Sequence, residues 1–311
     1  MIAEHETVFA GKRIESYDKQ SYLEDPADIA YRFSIDYDAH EDGQTFPDLF
    51  ARFMADPLAP QVTAVVVGDW GGTGMGNGSE PVVEALVAAR DKLPRLNALF
   101  IGEMTSEESE ISWIHLSDLS PLWTAYPRLE YFRVRGGEGL SLGMMKLPHL
   151  KLLVIESGGL AAEVVREVGA AELPELEHLE LWLGDDGYGA TTSPEDLTPV
   201  LSGRKFPNLR YLGLRDSCIT DSVAAAVARA PVMQQIATLD LSLGTLTDEG
   251  AKALLASPYL TRLTLLDLHH HYVSESIIEQ LRKTGVKLNA DDRKEPDEYN
   301  GQIYRYVSVA E

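Results

Sequence analysis

Three consecutive histidines, His269, His270 and His271, are the residues of this sequence best suited to chemistry. Asp267 lies two positions before them, and Asp240 lies 27 positions before Asp267. Imidazole and carboxylate groups ligate transition metals and act as general acids and bases. In an extended strand, side chains two positions apart point to the same side, so Asp267, His269 and His271 share one side. One interpretation of this cluster is therefore a metal site.

Three further motifs each lack a component that their chemistry needs. Residues 71–79 are glycine-rich and precede a helix, but no Lys-Ser/Thr follows, and Glu80 would repel a phosphate. His5 opens an incomplete zinc-protease motif, because Phe9 stands where the second histidine belongs. Cys218 has no apparent His–Asn partner and is interpreted as a packing residue. We therefore predict no catalytic residues and no cofactor.

The pattern L-x-x-L-x-L recurs along the chain and defines the elements that position these residues. It begins at eight positions: Val62, Leu96, Leu129, Leu150, Leu176, Leu209, Ile236 and Leu263. A strand, a turn and a helix at such intervals are typical of leucine-rich repeats. The sequence therefore predicts an α/β fold, a leucine-rich-repeat solenoid (horseshoe) with a parallel inner sheet and outer helices.

Two features of this pattern predict particular contacts. The leucines at its fourth position should stack in one column beneath the sheet: Leu99, Leu153, Leu179, Leu212, Leu239 and Leu266. After each strand, many repeat families carry an asparagine that bonds the backbone of the turn, and in the last repeat His271 occupies this place. We therefore expect His271 to bond turn backbone, and we expect no transition metal at the histidine run.

We predict three segments in the chain. Residues 1–58 form an N-terminal cap, residues 59–285 form the solenoid of eight repeats, and residues 286–311 supply a closing strand and a tail. The closing strand is expected within residues 286–292. The final residues, 304–311, alternate again and are expected to fold back.

Within the cap, residues 29–38 alternate as a strand and residues 45–56 have the apolar face of a helix. Residues 1–25 show no comparable pattern. We expect them to be loosely attached.

The variable strand positions point away from the leucine column and form the inner face of the sheet. Large aromatic residues and arginines on one face are suited to protein recognition. We therefore predict a partner-binding surface composed of Tyr131, Arg133, Arg135, His178, Glu180, Trp182, Tyr211, Arg215, Asp240, Asp267 and His269. Arg133, Arg135 and Arg215 form a local positive patch on an acidic protein, so we expect an acidic or carboxylate-bearing partner segment. The alternative is that Arg133 and Arg135 are neutralised by Glu156 and Glu180 on neighbouring strands.

Acidic residues outnumber basic residues by 49 to 27, which gives a net charge of −22. Such a surface repels phosphate groups, so we expect neither nucleic acid nor an anionic membrane as a partner. No apolar run is long enough to span a bilayer, and the N-terminal residues do not resemble a secretory signal. A single cysteine fits a reducing compartment. We expect a cytoplasmic protein.

Several segments resemble a family of bacterial, largely actinobacterial-type, cytoplasmic leucine-rich-repeat proteins of uncharacterised function. The segments are VVVGDWG (65–71), EISWIHLSDLSPLW (110–123), LEHLELWLG (176–184), LDLHHHYVSE (266–275) and RYVSVAE (305–311). The repeat type resembles that of ribonuclease inhibitor. Members of the family look like companions of biosynthetic or peptide-modifying enzymes, so the resemblance implies a partner or scaffold role.

The predicted function is a non-catalytic scaffold that binds an unidentified protein or peptide with the concave inner face. The alternative is an enzyme, or an enzyme-activating subunit, with a site at the C-terminal cluster of Asp240, Asp267 and His269. A third possibility is a structural subunit without a ligand of its own.

Overall fold

The computed structural model describes residues 2–18 and 23–310. Its internal contacts divide the chain into two compact units, the first ending at Ile155 and the second comprising Glu156–Ala310. Each unit is built of strand, turn and helical segment in repetition, and its parallel strands follow one another in chain order. The fold is the α/β leucine-rich-repeat solenoid that the sequence predicts. In the described residues, no helix has both the length and the apolar composition required to cross a membrane.

The first unit contains seven of the described strands and four of the described α-helices. The strands are β1 Val8–Phe9, β2 Lys12–Ser16, β3 Ile29–Ile35, β4 Ala64–Trp70, β5 Ala98–Ile101, β6 Tyr131–Arg135 and β7 Leu152–Glu156. The helices are α1 Tyr37–Glu41, α2 Phe46–Phe53, α3 Glu80–Ala88 and α4 Pro121–Ala125. Strands β1 and β2 form an antiparallel hairpin, whereas β2 to β6 pair in parallel.

Strand β3 and helix α2 confirm the strand and the helix predicted within the cap. Thr45 caps α2, because its hydroxyl accepts a hydrogen bond from the backbone N–H of Asp48. One face of α2 is buried, and the ring of its Phe53 lies 4.8 Å from the ring of Phe33 on β3. Edge-to-face aromatic packing of this kind joins the helix to the sheet.

The β1–β2 hairpin covers the inner face of the first unit. Phe9 packs against Phe100, with ring centroids 5.7 Å apart, in a cluster that also buries Val66. These inner-face positions would be exposed on an open sheet, but the hairpin removes them from water. The expectation that residues 1–25 are loosely attached is therefore wrong for residues 2–18. Residues 1 and 19–22 lie outside the described part.

The second unit contains the remaining described elements. Its strands are β8 His178–Gly184, β9 Tyr211–Ser217, β10 Thr238–Asp240, β11 Leu265–Asp267, β12 Lys287–Asn289, β13 Asp297–Tyr299 and β14 Gln302–Tyr304. Its helices are α5 Ala162–Ala170, α6 Thr198–Leu201, α7 Thr220–Ala228, α8 Asp248–Leu255 and α9 Glu275–Lys283. Strands β8 to β12 pair in parallel, so β12 is the predicted closing strand. Strands β13 and β14 form an exposed antiparallel hairpin.

The predicted leucine column is present in the second unit. In the second unit, four strands contribute a fully buried leucine to one in-register row: Leu179, Leu212, Leu239 and Leu266. In the first unit, Leu99 pairs with Val65 and Phe132, and Leu153 is also fully buried. Because side chains alternate along a strand, this row fixes which residues face the opposite side.

Aspartates join neighbouring helices of the second unit. The carboxylate of Asp221 accepts hydrogen bonds from the backbone N–H and the hydroxyl of Thr247, at 2.8 and 2.6 Å. One repeat later, the carboxylate of Asp248 accepts from the backbone N–H and the hydroxyl of Ser274, at 2.7 and 2.9 Å. These bonds hold successive helices in register and were not predicted from the sequence.

The C-terminal tail folds back onto the second unit, as the sequence predicts. The backbone N–H of Ser308 donates to the carbonyl of Leu243 at 2.7 Å, and that of Val309 donates to Oδ1 of Asp216 at 2.9 Å. Burial of Asp216 raises its pKa to about 8. The side chains of Val307 and Val309 are buried, which explains why the alternating tail returns to the protein.

Candidate binding surface

Strands β8 and β9 place the middle of the predicted surface side by side. His178 pairs with Tyr211, Glu180 with Gly213, and Trp182 with Arg215. Gly213 makes room for its neighbours, because a Cβ there would lie 3.1 Å from Glu180 Cγ and 3.1 Å from Tyr211 Cε1. The absence of a side chain at position 213 lets the glutamate and the tyrosine converge.

Arg215 bridges two carboxylates on this inner face. Its Nη1 donates to Glu180 Oε1 at 2.6 Å, and its Nε lies 3.3 Å from Asp240 Oδ2. Tyr211 donates its hydroxyl proton to the same Asp240 oxygen at 2.6 Å, and Nε1 of Trp182 donates to Glu180 Oε1 at 2.6 Å. The five side chains form one network of hydrogen bonds and ion pairs, in which Arg215 already faces two carboxylates before any partner arrives.

This network controls the ionisation of its members. Burial by itself raises the pKa of Glu180, but hydrogen bonds from His178, Trp182 and Arg215, together with the charge of Arg215, hold it at about 2. Burial lowers the pKa of Arg215, and the carboxylates of Glu180 and Asp240 more than reverse that effect. Burial and the same carboxylates raise the pKa of Tyr211. Glu180 and Arg215 therefore remain an ion pair across the physiological range.

The aromatic side chains of this face differ in their access to solvent. The imidazole of His178 stacks on the ring of Tyr211, with centroids 3.9 Å apart and planes 6° from parallel, and both residues are partly exposed. Trp182 is only 7% exposed and lies under the guanidinium of Arg215, which is 5.2 Å from its ring. The flat surface open to a partner is the His178–Tyr211 stack.

The side chains of His269, His270 and His271 lie in three different environments. His269 donates from Nδ1 to Asp267 Oδ1 at 2.7 Å, and this hydrogen bond raises the pKa of His269. His270 donates from Nε2 to the carbonyl of Tyr306 in the tail at 3.1 Å. The amide of Asn289 donates to the second oxygen of Asp267 at 3.0 Å. Asn289 was not predicted, although its place on the closing strand, in register with Asp267, would have indicated it.

His271 bonds turn backbone, as its place in the repeat predicts. Its Nδ1 accepts from the N–H of Val273 at 3.0 Å, and its Nε2 donates to the carbonyl of Ala290 at 3.1 Å. Burial lowers the pKa of His271, which favours the neutral form that these two bonds require. This side chain joins the turn after β11 to the turn after β12.

One set of potential metal ligands in the described residues lies outside the predicted surface. Donor atoms of Asp185, Asp186 and Cys218 lie within 4.8 Å of one another. Burial raises the pKa of the Cys218 thiol, which disfavours the thiolate that a metal would bind. Proximity of the three donor atoms is the one feature of this set that suits a metal ion.

In the first unit, the predicted surface is occupied by the chain itself. Arg133 donates from Nη2 to Glu6 Oε1 at 2.8 Å and lies over the ring of Phe100. Arg135 is 2% exposed and donates to the carbonyl of Met104. Tyr131 is partly buried beside the hairpin cluster. The expectation that these arginines are free to bind a partner carboxylate is therefore corrected, because the N-terminal segment and the adjoining turn already use them.

A buried ion network anchors that N-terminal segment and was missed in the sequence. Arg32 on β3 donates from Nε to Glu103 Oε2 at 2.5 Å, and its Nη2 lies 3.0 Å from Glu108 Oε1. Glu103 also accepts from the backbone N–H of Glu6 at 2.9 Å and contacts His5 Nδ1 at 3.1 Å. Glu103 is fully buried, so these donors satisfy a carboxylate that would otherwise be costly to bury.

The repeat architecture and this inner face define a leucine-rich-repeat protein. A Bacteroides fragilis protein of known crystal structure is 31% identical to the chain, covers 90% of it and is itself covered over 76% of its length, with a TM-score of 0.80. The chain belongs to the same family as that protein. An internalin from Listeria monocytogenes is 13% identical, with coverage of 92% of this chain and 87% of the internalin, and a TM-score of 0.40. No protein-family profile and no curated protein matches the chain.

Proposed function

We propose that the protein is a non-catalytic scaffold that binds a protein or peptide with the inner face of its second unit. The observation that carries this proposal is the Glu180–Arg215–Asp240 network beside the accessible stack of His178 on Tyr211. Side chains already held by hydrogen bonds lose little freedom on binding, and a stacked pair offers flat apolar area. Both properties favour recognition of a partner.

The charges of this face favour a basic partner segment. Three carboxylates lie on it, those of Glu180, Asp240 and Asp267, against Arg215 and the protonated form of His269. The sequence predicts an acidic partner from a positive patch of three arginines. Since Arg215 forms ion pairs with two carboxylates, the remaining field is negative and attracts lysine, arginine or neutral donors.

Other properties of the partner and of the chain follow from composition. A net charge of −22 argues against nucleic acid and anionic membranes as partners, and a single cysteine supports a cytoplasmic location. The 27-residue spacing of the last repeats supports a repeat of the ribonuclease-inhibitor kind. Membership of the bacterial cytoplasmic family named above would fit this role.

The test is affinity capture from cells that produce the protein, with Tyr211→Ala combined with His178→Ala. We expect this pair to weaken capture by about tenfold or more, because it removes the flat surface. Lys252→Ala, on the exposed side of helix α8, is the matched control and should change capture little. Tyr211→Phe removes the hydroxyl and keeps the ring, so it shows which of the two contributes to capture. The proposal would be contradicted if the double variant captured the same protein as well as the wild type does.

One observation, the hydrogen bond between His269 Nδ1 and Asp267, supports a second function, that of an enzyme or an enzyme-activating subunit. A carboxylate that orients an imidazole is a common arrangement of a general base. The Nε2 of His269 has no hydrogen-bond partner among the described residues. An enzyme, or an enzyme-activating subunit, would use this nitrogen together with Asp240. Stoichiometric zinc or nickel in tag-free protein, lost in His269→Gln, would favour this function over the scaffold.

A further inference from the structure

The exposed apolar side chains of the first unit are concentrated in the turns that follow its strands. Tyr37 follows β3, Met75 follows β4, Trp113 follows β5 and Met144 follows β6, with exposed fractions of 64, 58, 57 and 61%. Among the described residues of this unit, Val8 is the one other large hydrophobic residue with comparable exposure. Exposed apolar residues grouped on one edge mark an interaction surface more often than scattered ones do.

The four turns form one continuous surface, which we call the loop rim and define as residues 36–45, 71–80, 102–120 and 136–146. Strands β3 to β6 pair in parallel, so their turns emerge at the same edge.

Direct contacts join successive turns of the loop rim. The imidazole of His40 lies within 2.8 Å of the position that a Cβ would take at Gly71. The hydroxyls of Ser79 and Ser117 are 2.8 Å apart, and the N–H of Leu116 donates to the carbonyl of Glu138 at 2.7 Å. A single bound segment could therefore contact all four turns.

The loop rim is strongly acidic. It carries eleven of the 49 acidic residues of the chain but one of its 27 basic residues, Lys146. The acidic residues are Asp36, Asp38, Glu41, Asp42, Glu80, Glu103, Glu107, Glu108, Glu110, Asp118 and Glu138. Arg32 forms ion pairs with two of them, Glu103 and Glu108. The others surround the apolar side chains with negative potential, which selects a cationic partner.

A cavity of about 550 Å³ lies at the border of the loop rim, between the turn after β3 and the turn after β4. Its lining is mainly apolar, including Trp70 and Phe46, and it also contains the carboxylate of Glu80 and the imidazole of His40. A lysine or arginine side chain has an apolar stem and a charged end, so it matches a lining of this kind. The cavity thus offers a specific place for one basic side chain.

We propose that the loop rim binds a basic amphipathic protein segment. Apolar side chains of the segment cover Tyr37, Met75, Trp113 and Met144, and one lysine or arginine enters the cavity towards Glu80. Nucleic acids and anionic lipids are repelled by the same carboxylates. A second copy of this chain is also disfavoured, because each copy has a net charge of −22. This surface is independent of the inner face considered above.

The test uses fluorescence anisotropy with three synthetic peptides of equal length. One is an amphipathic helix with leucines on one face and lysines on the other, the second replaces lysine by glutamate, and the third scrambles the first so that its faces are mixed. We expect the basic amphipathic peptide to bind and the acidic peptide not to bind. The scrambled peptide should bind about tenfold more weakly, because its apolar groups cannot reach the rim together.

Variants of exposed residues test separately the apolar and the acidic contributions of the loop rim. Met75→Gln with Trp113→Gln should weaken binding about tenfold. Glu107→Gln with Glu110→Gln should weaken it at low salt and reduce its dependence on salt. The matched control, Glu84→Gln with Asp91→Asn, makes the same charge change beside helix α3 and should leave affinity within about twofold.

Several results would overturn the proposal: no binding of the basic peptide, equal binding of the scrambled peptide, or equal loss in the control pair. Self-association abolished by the Met75 and Trp113 changes would show instead that the rim joins two copies. Tyr211→Ala with His178→Ala should leave peptide binding unchanged. Failure of this experiment therefore does not affect the inner-face proposal.

Discussion

Replacing Glu180 by glutamine should remove a defined part of the pH dependence of stability. The folded protein holds the pKa of Glu180 at about 2, against 4.5 for the free side chain, because Arg215, Trp182 and His178 bond the carboxylate. A group whose pKa is lowered by folding stabilises the protein above the unfolded pKa and loses that contribution as pH falls through the folded pKa. The relevant window therefore runs from about pH 5 down to about pH 2.

The magnitude follows from the difference in pKa. A difference of about 2.5 units corresponds to about 3 kcal/mol, of which about 1.4 kcal/mol is lost by pH 3.5. Between pH 7 and pH 3.5, the wild-type free energy of unfolding should therefore fall by about 1.4 kcal/mol more than that of Glu180→Gln. Glutamine keeps the shape of the side chain, so the comparison isolates ionisation.

Urea unfolding at several pH values, followed by tryptophan fluorescence, measures this difference. Trp182 is a suitable probe, because its indole N–H donates to Glu180. Glu279→Gln, which changes an exposed carboxylate on helix α9, is the control and should follow the wild type. Equal losses in wild type and Glu180→Gln would refute the ion pair, and with it the preorganised face on which the scaffold proposal depends.

Three further outcomes are expected. Leu212→Ala removes a fully buried side chain from the leucine row and should cost about 2–5 kcal/mol of unfolding free energy in denaturant titrations, whereas a loss below about 1 kcal/mol would contradict the packing. Phe9→Ala should speed amide hydrogen exchange in the β1–β2 hairpin while strand β9 keeps its protection, and unchanged exchange in the hairpin would disprove its attachment through Phe9. Gly213→Ala should lower stability, measured as a reduced thermal midpoint, because its methyl group presses on Glu180 and Tyr211; a neutral result would show that the network yields easily.

Features with a local or periodic signal could be predicted from the sequence. The row through Leu212 and Leu239 follows from residue spacing alone, because strand pairing in register repeats the same side-chain direction. The role of His271 follows from its place after the last repeat strand. Strand β3 and helix α2 show the periods of two and of 3.6 residues that their packing requires.

Contacts between distant residues could not be predicted in this way. Phe9 meets Phe100, and Glu6 meets Arg133, because a short hairpin returns across the sheet, and no spacing in the sequence records this. Arg215 lies over the ring of Trp182, and this contact requires the register in which strands β8 and β9 pair. A sequence does not show whether an arginine on an inner face is already paired within the chain, because its partners come from distant residues.

The covering hairpin has a consequence for the synthesis of the chain. Most contacts of a repeat protein join neighbours in sequence, so each repeat can form as soon as it leaves the ribosome. The N-terminal segment is an exception, because Glu6 bonds a residue 127 positions later. This segment is translated before its partners and therefore waits, with Phe9 unshielded, until strands β5 and β6 have been translated. During that interval, the unshielded Phe9 would give a nascent-chain chaperone an apolar target in this segment.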